Sequence, residues 1–528
     1  MRTQSYFVVT LLLVMASTDA SAEAGKCEQL SGLQLPNTTV TVAESVPAGT
    51  FTPPYGDPLD KLPGFCRVAG VLKPASDSFI RFEVWLPAAD WNQRYLGVGN
   101  GGFAGSIDYR TLGGNLSRGY ATAATDTGHE GEAGDASWAF HHPEKVIDFG
   151  YRGLHLTTET AKKLMAAFYD RPAQHAYFDS CSDGGREALM EAQRFPEDFD
   201  GILAGDPANS WTSLLASGIE VAQQMYRNPA AYISSVKIPA ISAAVLKACD
   251  AQDGVTDGIV SDPERCHFDP AALLCKDADG RDCLTAPQVA SLKKLYSGDG
   301  NAQGRQLFRG YLPGGENGAQ GWTPWIIGPA PGFSYGVDFV ENYFRYIVFD
   351  DPAWNILTAN ADAAKRLADQ KTAEALNAIN PDLRLFQARG GKLIVYHGWN
   401  DPAISPLYAV SYYQQVAKGM GDRNTESFMR LYMVPGMQHC IGGPGPSYFG
   451  QLGTTTAKGP KHGIYAALEE WVEKGAAPDE IVATKYVGND PGNAAAMTRP
   501  LCPHPQIARY KGTGDTNDYT NFVCKNPE

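Results

Sequence analysis

Short apolar or β-rich runs, each bounded by Gly, Asp or Pro, recur along the chain at residues 94–97, 121–125, 176–179, 201–204, 392–396 and 429–434. Runs of that length and composition predict strands. Longer amphipathic stretches at 153–168, 186–194, 406–418 and 463–475 lie between several of them and predict helices. From about Phe79 onward the two kinds alternate, which predicts an α/β fold: a mostly parallel sheet with helices on both faces. Residues 209–385 break the rhythm. They are rich in Gly, Pro and Asp and hold four of the ten cysteines. They predict an inserted second domain, a lid, interrupting a catalytic domain made of residues 23–208 and 386–528. Within the insertion, residues 322–354 carry ten aromatics. Most are expected in the lid's own core, with some facing a cleft where they can stack on an aromatic substrate.

The N-terminus has a different pattern. Arg2 precedes an eleven-residue, mainly apolar run at 6–16, and small residues follow as far as Ala20-Ser21-Ala22. This is the order of a secretory signal peptide over residues 1–22, with cleavage after Ala24 as the alternative. The run falls short of the roughly 20 residues that span a bilayer, and no later segment is expected to span one. The expectation is a secreted or periplasmic protein without a membrane anchor. A net charge of −14 repels phosphate backbones and argues against nucleic-acid partners. An even count of ten cysteines in an exported chain implies disulfides, and the lack of any C-x-x-C argues against zinc and thioredoxin-like chemistry. Spacing alone leaves the connectivity open.

The candidate chemistry starts at residues 176–187, where a β-like run enters Ser180-Cys181-Ser182-Asp183-Gly184 and leaves as an amphipathic helix. Strand, tight small-residue turn and helix form the setting of the nucleophile elbow G-x-S-x-G, here with Ser180 in place of the first Gly. Ser182 is then the nucleophile, and the N–H of Asp183 one oxyanion donor. An ordinary Ser/Gly turn that caps a helix gives the same pattern, so partners are needed. A hydroxyl needs an adjacent base, and in this fold the order along the chain is Ser, acid, His. Asp401 follows the strand at 392–396, and His439 lies on the loop after 429–434. His397 is expected to be a strand-end residue bonded to backbone. The separation of Ser182 from Asp401 leaves room for the insertion.

Gly97-Val98-Gly99-Asn100-Gly101-Gly102 satisfies G-x-G-x-x-G after a strand, but no apolar helical face follows it. A dinucleotide site requires that helix. The better reading is an oxyanion loop with Gly102 as second donor and Gly101 as fallback. Asp250, Asp253 and Asp257 crowd a Gly-containing loop between Cys249 and Cys266. Either a hard cation bound by carboxylate and carbonyl oxygens or a solvated polar turn accounts for such a loop. Sequons at Asn37 and Asn115 allow glycosylation in a eukaryotic host.

Taken together, Cys181-Ser182, Asp401 and His439-Cys440 resemble the tannase and feruloyl esterase family, over about Cys27 to Cys524. That family is marked by a Cys before the nucleophile joined to a Cys after the catalytic His. Asn100-Gly101-Gly102 and Thr125 to His129 also look like family segments. The resemblance implies an α/β-hydrolase with a lid that holds a structural Ca2+. Its ligands would be the side chains of Asp250, Asp253 and Asp257 and the carbonyls of Val255 and Ile259. It also implies the disulfides Cys27–Cys66, Cys181–Cys440, Cys249–Cys266, Cys275–Cys283 and Cys502–Cys524. The implied reaction is hydrolysis of esters of small aromatic acids, feruloyl or galloyl, or in one branch a terephthalate monoester. The lid offers no evident place for the arginine that holds the free carboxylate in that branch, which leaves feruloyl and galloyl esters ahead. Other classes with the same scaffold are a serine peptidase and a non-catalytic binding protein; the intact Ser, Asp and His argue against the latter. The oligomeric state is not legible.

Overall fold

The computed structural model describes residues 25–300, 306–454 and 456–527. The predicted signal peptide, residues 1–22, lies outside them. A nine-stranded sheet organises the chain: β1 (Thr38–Val46), β2 (Phe65–Leu72), β3 (Ile80–Pro87), β4 (Arg94–Val98), β5 (Ala121–Thr125), β6 (His175–Cys181), β7 (Gly201–Gly205), β8 (Lys392–Gly398) and β9 (Met429–Val434). Their spatial order is β1-β2-β3-β5-β4-β6-β7-β8-β9. The pairs from β5 to β9 are parallel, and β1, β2, β3 and β5 pair antiparallel. Each of the six predicted strands is present. The antiparallel edge is an addition to the predicted sheet.

The helices that bear on the site are, in chain order, α1 (Tyr109–Ser117), α2 (Gly153–Tyr169), α3 (Asp183–Arg194), α4 (Trp211–Tyr226), α5 (Ile238–Cys249), α6 (Tyr335–Asn342), α7 (Leu407–Met420) and α8 (Ile464–Lys474). Parallel strands are covered on both sides, so their runs are apolar throughout. Side chains of α2, α3 and α7, such as Leu164, Leu189 and Val410, pack with Phe178, Ile202 and Val395 on one face. On the other face α8 places Leu468 and Trp471 against Tyr177, Leu203 and Tyr432.

The insertion leaves the sheet after β7 and returns before β8. Its entry and exit are tied where the Ala378 N–H donates to the Asn209 carbonyl at 2.8 Å. It has its own core, with Met225, Ile241, Leu292 and Trp322 among the buried side chains. Of the ten aromatics at 322–354, Tyr343 and Phe344 are fully buried in a second cluster shared with Phe103 and Trp211. An 18-residue window within Pro229–Asp253 has a mean hydropathy of 1.3. Only Ile238–Cys249 of it forms a continuous α-helix, too short to cross a bilayer of ~30 Å at 1.5 Å per residue, and its apolar side chains pack into the insertion's core.

The five disulfides join Cys27–Cys66, Cys181–Cys440, Cys249–Cys266, Cys275–Cys283 and Cys502–Cys524. Of the two sequons, Asn37 is exposed. Asn115 is buried, with its amide donating to Thr122 Oγ1 at 3.1 Å, so the folded protein does not present it for glycosylation.

Candidate active site

β6 ends at Cys181, and Ser182 takes φ 67° and ψ −121° before α3 begins at Asp183. This left-handed backbone is costly for a residue with a side chain. Neighbouring bonds hold it: the Ser182 N–H donates to the Gly205 carbonyl at 3.0 Å, and its carbonyl accepts from Ala208 at 3.1 Å. A Cβ at Gly184 would come within 1.9 Å of Ser180 Oγ, so only glycine lets helix and strand approach this closely.

Three side chains from three strand ends meet at this turn. His439 Nε2 lies 2.9 Å from Ser182 Oγ, and His439 Nδ1 lies 2.8 Å from Asp401 Oδ2. Asp401 is fixed in turn, as its Oδ1 accepts the N–H groups of Ala403 and Ile404 at 2.8 and 3.1 Å. Burial pushes its carboxyl up, but the facing His439 and His397 outweigh burial and hold it far below the usual carboxylate range. For His439 burial acts downward and the carboxylates of Asp401 and Asp206 act upward, leaving its imidazole above the ordinary value. His397 Nε2 donates to the Ile404 carbonyl at 3.1 Å, the backbone contact expected of it. The same nitrogen also lies 3.2 Å from Asp401 Oδ2, a contact that sequence did not suggest.

The glycine loop after β4 does not open a helix: α1 starts only at Tyr109, capped by Asp108. The loop is pinned to α3 instead. The Asn100 N–H donates to Glu187 Oε2 at 2.8 Å, and its carbonyl accepts the Gly184 N–H at 2.8 Å. His129 supports it from behind, with Nε2 2.7 Å from the Phe103 carbonyl and its ring stacked on Trp138. Burial pushes that imidazole down to about 4, so His129 is neutral at neutral pH. Gly102 has φ 60°, and a Cβ there would meet the Ala133 carbonyl oxygen at 2.2 Å. Gly102 and Asp183 line the same pocket as Ser182 and His439. The Asp183 side chain is turned to Arg186, 2.6 Å away and equally buried.

Two cavities meet at Ser182 and His439. One is narrow, about 100 Å³, with Trp211, Leu215, Tyr311 and Ile404 in its wall and no Lys or Arg among its lining residues. The other is an open cleft of about 790 Å³ that runs past Tyr55, Asp57, Asp108 and Arg110. Trp325 and Phe339 from the insertion border both. The Trp325 ring meets the His439 ring edge-on at 5.3 Å between centroids. The aromatic run flagged this pair without distinguishing it from core neighbours.

In the acidic loop, Asp250 and Asp253 are buried, and Asp257 pairs with Arg499 on Ala495–Leu501, which forms a C-terminal hairpin with Ile481–Tyr486. Among the described residues, Asp257 alone of the three carboxylates has an ion pair. All donors are hard oxygens, which suits a calcium ion. Asp250 also accepts the N–H groups of Asp257 and Gly258, at 3.1 and 3.0 Å, which holds the loop in a turn.

Residues 66–525 match the family described as tannase and feruloyl esterase. An uncharacterised esterase of Xanthomonas campestris is 44% identical over 96% of this chain and 92% of its own length. The mono(2-hydroxyethyl) terephthalate hydrolase of Piscinibacter sakaiensis is 35% identical, over 88% of this chain and 85% of its own. The crystal structure of feruloyl esterase B from Aspergillus oryzae superposes with a TM-score of 0.86 at 30% identity, covering 95% of this chain and all of that one. The chain therefore belongs to the tannase and feruloyl esterase family and is a carboxylic ester hydrolase with an α/β-hydrolase fold and an inserted lid.

Proposed function

We propose that the protein is an exported serine esterase that cleaves esters of small aromatic acids through an acyl-enzyme. The observation that carries this is the relay from Asp401 through His439 to Ser182, with distances of 2.8 and 2.9 Å, placed where a narrow apolar pocket joins an open cleft. Ser182 Oγ attacks the acyl carbon while its proton passes to His439 Nε2, and the Asp401 carboxylate stabilises the imidazolium. The N–H groups of Gly102 and Asp183 receive the charge on the carbonyl oxygen. The protonated His439 then gives its proton to the leaving alkoxide, and a water activated by the same imidazole releases the acid.

The aromatic acyl group occupies the narrow pocket and the alcohol occupies the cleft. The pocket has no Lys or Arg in its lining, so a free carboxylate on the acyl ring would find no permanent cation there. This favours ferulate or gallate esters over a terephthalate monoester. In a panel of methyl ferulate, methyl gallate, the terephthalate monoester and peptides, kcat/KM is expected to be highest for one of the first two. A preference for the terephthalate monoester or for peptides would overturn the reading. Replacement of Trp325 or Phe339 by Ala is expected to lower kcat/KM for the ferulate ester about tenfold relative to an acetate ester, since each ring contributes about 0.5–1.5 kcal/mol beyond its area. An unchanged ratio would return both residues to a purely structural role.

Calcium is part of the same proposal. The side chains of Asp250, Asp253 and Asp257 and the carbonyls of Val255 and Ile259 would hold it, and the ion would offset the mutual repulsion of the three carboxylates, of which Asp257 also pairs with Arg499. A ligand bound only by the folded state stabilises it by RT ln(1 + [L]/Kd). EDTA is therefore expected to lower Tm and added calcium to restore it. Elemental analysis showing no calcium in the active protein would contradict the proposal. Export rests on the five disulfides and the N-terminal pattern. Mass spectrometry of the exported form is expected to find it starting after Ala22 or Ala24.

A further inference from the structure

Two carboxylates face His439. Besides Asp401, Asp206 places Oδ2 4.0 Å from the same Nδ1. Asp206 directly follows β7, has φ 35°, and its side chain is completely buried. Its Oδ1 accepts the N–H of Gly398, the last residue of β8, at 2.9 Å. Its Oδ2 accepts the N–H of Cys440, the residue after His439. A carboxylate oxygen of Asp206 also lies within 4.8 Å of the sulfurs of Cys181 and Cys440. One side chain thus bonds to the strand end that carries the acid and to the loop that carries the base, and lies near the disulfide beside the nucleophile.

We propose that Asp206 is a positioning residue for ester hydrolysis: its carboxylate fastens the Asp401 strand end to the His439 loop, keeps Nδ1 on Asp401, and adds its negative charge to that of Asp401 behind the imidazolium. The proposal rests on the reading of Ser182, His439 and Asp401 as a triad. The titratable groups around Asp206 are Tyr396 and His397 on β8, Asp401 on the loop after it and His439 on the loop after β9. Among the described residues no lysine or arginine forms an ion pair with it. Burial pushes Asp206 up to about 6, with His397 pulling it down, Asp401 pushing it up and His439 pulling it down. Above that pH it is ionised, and an opposite charge at about 4–6 Å raises an imidazole pKa by roughly 1–3 units. The active enzyme needs neutral His439, so the acid limb of kcat/KM lies higher with Asp206 present than without it.

A residue that only staples two loops would change Tm and leave that limb in place, so the pH profile separates the two roles. Asp206→Asn removes the charge and sets an amide N–H against one of the two backbone N–H groups it now satisfies. It is expected to lower kcat about 10-fold with KM little changed, and to move the acid limb of kcat/KM down by about one unit. Asp206→Ser, which removes the charge and leaves room for a water, is expected to give the same downward shift. Circular dichroism on each sample fixes the folded fraction, and Ser182→Ala serves as control. A folded Asp206→Asn with the wild-type kcat and acid limb overturns the proposal. So does failure of both variants to fold, which makes the residue a determinant of the fold alone. Activity that survives in Ser182→Ala would instead remove the triad reading on which the proposal stands.

Discussion

Ser182→Ala is expected to lower kcat by on the order of 10⁶-fold while leaving the fold and Tm nearly unchanged. The size of the effect follows from what the hydroxyl does. It sits at the tip of a strained turn, φ 67°, where it is the one side-chain atom of the elbow within 2.9 Å of His439 Nε2. In the proposed mechanism no acyl-enzyme forms without it, and what would remain is polarisation of the ester carbonyl by the N–H groups of Gly102 and Asp183, which leaves a residual rate above that in water. The substitution removes only an oxygen and keeps the Cβ, so the bonds from Ser182 N–H to Gly205 and from Ala208 to the Ser182 carbonyl persist. Circular dichroism and ester turnover on the same preparation check it. Turnover within tenfold of wild type would mean that another residue is the nucleophile.

Cys181→Ala with Cys440→Ala is expected to lower kcat about 10²-fold in protein that is still folded. The disulfide spans 259 positions and holds the two Cα atoms 6.0 Å apart. In the chain-entropy model a cross-link over so long a loop stabilises by roughly 5 kcal/mol, so Tm falls as well. The local consequence is the sharper one. Each cysteine is bonded to a residue of the proposed triad, so the bond limits how far Ser182 and His439 can separate, and a 1 Å misplacement of reacting groups costs on the order of 10²-fold. Kinetics at 15 °C, well below the lowered Tm, separate the two effects. A variant with reduced Tm but the wild-type kcat would leave the disulfide as a staple only.

How much of this was legible follows from where each signal resides. Strands β4 to β9 are covered on both faces, so their continuous apolar runs stood out in the sequence. β1 is an edge strand whose nine residues are all half-buried or exposed, so it lacks a continuous apolar run, and the short alternation Thr39-Val40-Thr41-Val42 is a weaker signal. Ser182, Asp401 and His439 were readable because each follows a recognisable strand. Asp206 also follows one, but Gly205-Asp206-Pro207 reads as a turn, and its partners Gly398 and Cys440 lie 192 and 234 positions away. Only the folded sheet brings them together. Trp325 was hidden for another reason: ten aromatics in one run have the same composition whether they fill a core or face a cleft, and the π-helical segment Thr323–Ile327 that turns this one toward His439 has no plain sequence signature. Asn115 shows the reverse case, a short motif that is complete in sequence and buried in the fold.

The mechanism proposed for Ser182 requires that an aromatic acyl group be transferred to its Oγ. Acid quenching of the enzyme during turnover of an activated ferulate ester, followed by peptide mass spectrometry, tests it most directly. One feruloyl group is expected on the peptide that contains Ser182, and none in Ser182→Ala. Turnover without an adduct on that peptide, or with the adduct on another residue, would contradict it.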